Sequence, residues 1–152
     1  MNKYTIGLIS DTHGLLRQDA FDFLKGSDAI IHAGDICDNN IITQLSTIAP
    51  VHAVHGNMDS KATYPASDLR TICGHTFYIL HDLELLDLDP AAAGIEIIVF
   101  GHTHQPENFL RDSVIYINPG SAGPRRIGRP ISLAKLHIKN DCLIPEFTEL
   151  SF

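Results

Sequence analysis

Ile95-Glu96-Ile97-Ile98-Val99-Phe100-Gly101-His102-Thr103-His104 reads as a buried strand that stops at a glycine and then delivers two imidazoles. The run is apolar and β-branched, the composition of a strand covered by other elements, and Gly101 ends it. In extended backbone, side chains at i and i+2 project to the same side, so both rings can face one point. Two neutral nitrogen donors aimed at one place suit a transition-metal ion. Two loop histidines on the surface are the plainer alternative. The rest of the chain decides between them by supplying, or not supplying, matching donors.

Working outward, the same arrangement recurs. Residues 4–10 form an apolar strand followed by Asp11-Thr12-His13-Gly14, and residues 29–33 a second followed by Gly34-Asp35. Residues 51–54 form a third, followed by Gly56-Asn57. An amphipathic helix over 18–25, with Ala20, Phe21 and Leu24 inward, separates the first two strands. A helix capped by Asn39 or Asn40 and ending before Pro50 separates the next two. Strand, loop, helix and strand alternating twice is the signature of right-handed βαβ units.

The second half is richer in strands, at 69–72, 76–80, 95–100, 114–117, 131–138 and 143–147. Cys73-Gly74 and Asn140-Asp141 mark hairpin turns, and residues 83–86 offer at most a short helix before Pro90. The expected fold is α/β, with two packed mixed β-sheets flanked by helices, in one domain over residues 1–152.

Composition narrows the function. The chain has 152 residues, a net charge of −7, 7% aromatic residues and no Trp. It lacks a basic stripe for phosphates and a stacking platform for bases, which argues against a nucleic-acid polymer as ligand. The three cysteines are widely spaced, without a Cys-x-x-Cys pair, as expected in a reducing compartment. No apolar run reaches the ~18 residues that span a bilayer, and no leader-like segment opens the chain, so a cytoplasmic protein without a membrane partner is expected. Nine histidines are many for this length.

Asp11, His13, Asp35, Asn57, His81, His102 and His104 thus each follow an apolar strand-like run. In open α/β folds the carboxyl ends of strands converge on one ligand-binding crevice. Each residue has a bland reading as a turn former, a cap or a packed histidine; their joint placement at strand ends is what favours a site.

Asp11-Thr12-His13, Gly34-Asp35, Gly56-Asn57, His81 and Gly101-His102-Thr103-His104 follow the motif order of calcineurin-like metallophosphoesterases. The chain most resembles the short YfcE-type phosphodiesterases of that superfamily, as do Asn118-Pro119-Gly120-Ser121 and the following Pro124-Arg125. The resemblance implies two divalent metal ions. Asp11, His13 and His104 would hold the first, Asn57, His81 and His102 the second, and Asp35 would bridge them. Such a donor set suits Mn, Fe, Ni, Co or Zn better than Mg. The implied chemistry is attack on a phosphodiester by hydroxide held between two ions, with Asp35, Asn57 and His102 at the reacting centre. A covalent role for Cys37 or Cys73 is not needed.

Three departures bear on what such a site would cut. Many superfamily members read Gly-Asn-His, where this chain has Gly56-Asn57-Met58-Asp59, so a leaving-group acid is missing. Asp38 matches an aspartate that orients that histidine in such members, and His55 is the nearest imidazole that would substitute. Asp82 stands after His81 where relatives commonly have glycine. Arg125 and Arg126 are candidates to grip a phosphate, with Asn57 beside them, and Arg17 is a weaker one. His32, His52, His75 and His137 are expected to serve the core or surface. A small phosphodiester is the expected substrate and a homo-oligomer an open possibility. The alternative is a protein-interaction scaffold of the same fold, like the retromer-subunit relative in this superfamily.

Overall fold

The computed structural model describes residues 3–151 and arranges them as two mixed sheets of five strands each. The first sheet contains β1 (Lys3–Ile9), β2 (Ala29–His32), β3 (Val51–Ala53), β9 (Ile131–Lys139) and β10 (Cys142–Leu150), in the order β10-β9-β1-β2-β3. β1, β2 and β3 are parallel, joined by α1 (Gln18–Leu24) and α2 (Asn39–Leu45) as the sequence pattern anticipates. The second sheet contains β4 (Ser67–Ile72), β5 (His75–Leu80), β6 (Ile97–Val99), β7 (Glu107–Arg111) and β8 (Val114–Asn118), in the order β4-β5-β6-β8-β7. Its central strands β5, β6 and β8 are again parallel.

The apolar run that ends at Gly101 is continuous because both of its faces are covered. Ile97 and Val99 point between the sheets, where they meet Ile6 and Leu8 of β1, Ile31 of β2 and Phe77 and Ile79 of β5. Ile98 and Phe100 point the other way, into a cluster with Tyr116 and with Leu83, Leu86 and Leu88. Both helices lie on the outer face of the first sheet, where Ala20, Leu24, Ile41 and Leu45 pack with Ile9, Ile30 and Leu133. Residues 83–88 cover the second sheet with a 3₁₀ turn (Leu83–Leu85) and the loop after it.

Two details differ from expectation. Phe23, not Phe21, packs beneath α1; Phe21 instead lies under the Lys25 ammonium, 5.5 Å from its ring centroid. β7 was not legible, since Glu107-Asn108-Phe109-Leu110-Arg111 neither alternates nor runs apolar. It is an edge strand recruited by a tight hairpin whose turn residues, Asp112 and Ser113, both take positive φ. Phe109 stacks on Tyr116 at 4.8 Å, and the Arg111 guanidinium lies over both rings. Among the described residues, no helix is long and apolar enough to cross a membrane.

Candidate metal centre

Six parallel strands deliver their carboxyl ends to one rim, where the loops bind each other through the backbone. The Asp11 N–H donates to the Gly34 carbonyl at 2.9 Å, His13 to Asp35 at 2.9 Å and Gly14 to Ile36 at 2.8 Å, zipping the loops after β1 and β2 together. Asp11, His13, Asp35, His102 and His104 all adopt positive φ, between 45° and 75°. Left-handed backbone is uncommon for side chains of this kind and persists only where surrounding contacts impose it.

That geometry corrects the premise that His102 and His104 share an extended backbone and hence one target. His104 turns toward the first loop, its Nε2 lying 3.3 Å from Asp11 Oδ1 and 3.4 Å from His13 Nε2. His102 packs edge-on against the His81 ring at 5.2 Å, with Nε2 3.7 Å from Asp82 Oδ2. The two rings of one short motif therefore serve opposite sides of the rim.

Donor atoms of Asp11, His13 and His104 lie within 4.8 Å of one another, and so do those of Asp11, Asp35 and His81. Asp35 Oδ2 lies 3.2 Å from His81 Nε2 and 3.6 Å from His13 Nε2, so it too reaches both sides. Asn57 and His102 stand further out. Asn57 is exposed on the rim and the His102 side chain is 42% exposed, but both line a cleft of about 190 Å³ with His13, Asp35 and His104.

The residues fit a divalent cation. Asp11 is wholly buried, yet its Oδ1 accepts no hydrogen bond, and the buried His81 Nε2 is equally without a partner. Leaving such atoms unpaired in the interior is costly unless something positive sits between them. His81 Nδ1 lies 2.8 Å from the Ala33 carbonyl, which can only accept, so the proton belongs on Nδ1 and the Nε2 lone pair faces the rim. Asp11 Oδ2 is held separately, by the Ser10 hydroxyl at 2.6 Å and the His102 N–H at 3.1 Å, which leaves Oδ1 free to bind.

Electrostatics point the same way. Burial works to raise the Asp11 carboxyl, but the imidazoles of His104, His13 and His81 outweigh it and hold it far below the usual carboxylate range. For Asp35, burial is again overcome, by His81 and by the Met58 N–H that donates to Oδ1 at 2.9 Å. Burial would lower His81, but Asp35 and Asp11 raise it, so without a cation the carboxylates favour a second proton on Nε2, which a metal ion would displace. Both carboxylates are thus negative at neutral pH, as ligands must be.

Several residues of the rim act as scaffold. Asp59 accepts from three backbone N–H groups, those of Ile36, Cys37 and Gly56, and so ties the loops after β2 and β3. Asp38 caps α2 by accepting from the Asn40 N–H; with Met58 in place of the histidine, helix capping is its role. Asp82 caps the 3₁₀ turn. Asn118 is fully buried and donates from Nδ2 to the Gly101 carbonyl and to Thr103 Oγ1, both at 3.1 Å, which braces the histidine motif. In the sequence it stands out as the first residue of the Asn118-Pro119-Gly120-Ser121 turn that closes an apolar strand. Of the two adjacent arginines proposed to grip a phosphate, Arg126 lines the cleft. Arg129, which sequence reasoning passed over, donates to the Thr103 carbonyl beside it. Arg17 is occupied with the Gly123 carbonyl.

His32 lies fully buried beneath this rim. Its Nδ1 accepts from the Gly34 N–H and its Nε2 lies 3.0 Å from Thr12 Oγ1, which donates to the Ile36 carbonyl. Burial pulls its pKa down to about 4. Unfolding restores an ordinary value near 6.5, so the unfolded state takes up the proton first and stability falls as pH drops from about 6.5 toward 4. In chelator-treated protein, urea titrations should show wild type losing about 2 kcal/mol more than His32→Gln between pH 7 and pH 5. Equal losses would remove this account of His32. His75 is buried and His137 half-buried, and each pairs with a carboxylate away from the rim, Glu96 at 2.9 Å and Glu146 at 2.7 Å.

An α/β sandwich that gathers carboxylates and imidazoles with unpaired lone pairs at its strand ends defines a metallohydrolase-type site. The chain belongs to the calcineurin-like phosphoesterase superfamily, whose domain matches residues 4–141. It is 34% identical over 157 aligned positions to a probable metallophosphoesterase of Methanothermobacter thermautotrophicus, covering 93% of this chain and 90% of that protein. Its fold superposes on an archaeal phosphodiesterase with a TM-score of 0.82 at 22% identity, over 96% of this chain and 99% of that one. It also superposes on vacuolar protein sorting 29 of Cryptosporidium parvum, with a TM-score of 0.78 at 18% identity over 99% of each chain.

Proposed function

We propose that this protein hydrolyses small phosphodiesters with the help of two divalent ions. Asp11, His13 and His104 serve one ion and His81, His102 and Asn57 the other, with Asp35 between them. The observation that carries the reading is Asp11 Oδ1, a buried anionic oxygen without a hydrogen-bond partner, facing the imidazoles of His104, His13 and His81. When bound, such ions supply a water-derived nucleophile at neutral pH and offset the charge of the phosphate. Manganese is the proposed occupant, and Fe, Ni, Co and Zn share its taste for this donor set.

The chain's own contribution is positioning. Arg126 lines the cleft with His13, Asp35 and His104 and is placed to pair with a phosphate oxygen. Where a leaving-group acid would stand, Met58 is 62% exposed and carries no proton to give. His55 does not replace it, since it lines a neighbouring pocket and not this cleft. A missing acid costs about 10²–10⁴-fold on poor leaving groups, so aryl diesters are expected to turn over well and alkyl monoesters poorly.

The test is to strip the protein with chelator, restore Mn²⁺, and assay bis(p-nitrophenyl) phosphate beside glycerol phosphate. Metal-dependent cleavage of the first, at least 10²-fold faster than the second, is expected. Comparable rates on both would overturn the reading of Met58. No metal uptake and no turnover would favour a scaffold, a use of this fold compatible with its likeness to vacuolar protein sorting 29.

A further inference from the structure

We propose that a second pocket, opening beside His81 and Asn57, seats a flat uncharged ring carried on one ester oxygen of the substrate. The inference rests on the phosphodiester reading above and names the class of diester it applies to: one with an aryl or heteroaryl substituent.

The pocket measures about 390 Å³, within the range of small-molecule sites, and it shares Asn57 with the metal-side cleft. The pocket is therefore the next cavity along the rim for a ligand whose phosphorus lies at the metal centre. One wall is the outer face of β5, where Tyr78 and Leu80 project together because they are two apart on a strand. Leu85, on the 3₁₀ turn, adds a second apolar surface. It is 74% exposed, although the neighbouring Leu83 and Leu86 are packed into the cluster over the second sheet. Ser67, the cross-strand partner of Leu80, and Ala66 before it continue the β5 wall with small side chains that keep the space open. Apolar walls with an aromatic ring among them favour a flat apolar body.

The polar groups at the mouth argue for neutrality. Asp82 and Asp87 put two carboxylates there, against the single ammonium of Lys61. Among the lining side chains not assigned to the metal ion, the carboxylates outnumber the ammonium and disfavour a second phosphate, whereas a ring with an uncharged polar edge finds both donors and acceptors. The other side of the centre is the reverse, with Arg126 and Arg129 lining it. The site is thus polarised: cationic where a phosphate oxygen belongs, apolar where an organic substituent belongs.

The probes are diphenylphosphinate and dimethylphosphinate, diester-shaped monoanions whose C–P bonds are not hydrolysed. Calorimetry on the full chain, with and without Zn²⁺, compares their affinities. The diphenyl compound is expected to bind about tenfold more tightly, the effect of burying part of one ring. That ratio should fall about threefold in Leu85→Ala and to within about twofold of unity in Leu85→Asp, which sets a carboxylate against the ring. Leu85 is exposed, so neither change threatens folding. Equal affinities in wild type, or a ratio unmoved by both substitutions, would overturn the proposal. The hydrolase reading fails separately: an intact diphenyl preference with no metal-dependent turnover of any diester keeps the pocket and discards the catalysis. Metal-dependent turnover of bis(p-nitrophenyl) phosphate with no diphenyl over dimethyl preference in binding keeps the catalysis and discards the pocket.

Discussion

Asp11→Asn is expected to lose metal-dependent diesterase activity by about 10³-fold or more, while the protein stays folded. Asp11 is the one residue common to both donor groups, and its Oδ1 faces three imidazoles. An amide of the same shape keeps the Ser10 and His102 hydrogen bonds within reach but removes the charge that a cation needs. Losing several kcal/mol of transition-state stabilisation corresponds to that fall in rate. Metal content by plasma emission should drop with activity, and circular dichroism should not change. A variant that kept both its metal and its turnover would sink the site assignment. Because the imidazoles hold the Asp11 carboxyl well below its ordinary range, its charge contributes to the stability of the metal-free fold at neutral pH, and metal-free Asp11→Asn should be somewhat less stable than metal-free wild type.

Gly56→Ala is expected to damage the same centre without touching a donor. A Cβ on Gly56 would collide with Asp35 Oδ1 and come within 2.5 Å of the Asp35 backbone nitrogen. Backbone cannot swing aside as a flexible side chain does, and Asp35 is already locked by the Met58 N–H and by the zipped loops. Overpacking of this kind costs about 1–3 kcal/mol, which in a domain this size lowers Tm by roughly 2–4 °C per kcal/mol. Displacing Asp35 by an ångström should cost about 10²-fold or more in turnover. Thermal melts with and without Mn²⁺ check this: the stabilisation that metal confers on wild type should shrink in the variant. An alanine that left both Tm and turnover unchanged would show that the β2 and β3 loops can separate freely.

Much of the site was legible because its residues punctuate strands. Asp11, Asp35, His81 and His102 each follow an apolar run, and that placement alone predicted a common rim. The scaffold was less visible. Asp59 and Asn118 hold the loops through hydrogen bonds to backbone groups of residues distant in sequence, and nothing in their local sequence announces such partners. Arg125 and Arg126 are equivalent on paper, and only the folded chain shows that Arg126, in a turn closed by the Arg129 N–H, lines the cleft. The strand Glu107–Arg111 was missed because an edge strand with a mixed pattern owes its conformation to its neighbour β8.

By itself, the sequence determined the alternation of strands and helices, the two-sheet class and the polar residues that stand at strand ends, because hydrophobic periodicity and strand-ending glycines are local properties of the chain. The tertiary structure alone decided which way His102 and His104 face, that Asp11 as well as Asp35 lies between the two sides, and that an apolar pocket adjoins the polar rim. Those facts depend on left-handed backbone at five loop positions, a conformation these residues would not take in isolation. It persists because loops from strands far apart in sequence bind one another when the parallel ends converge.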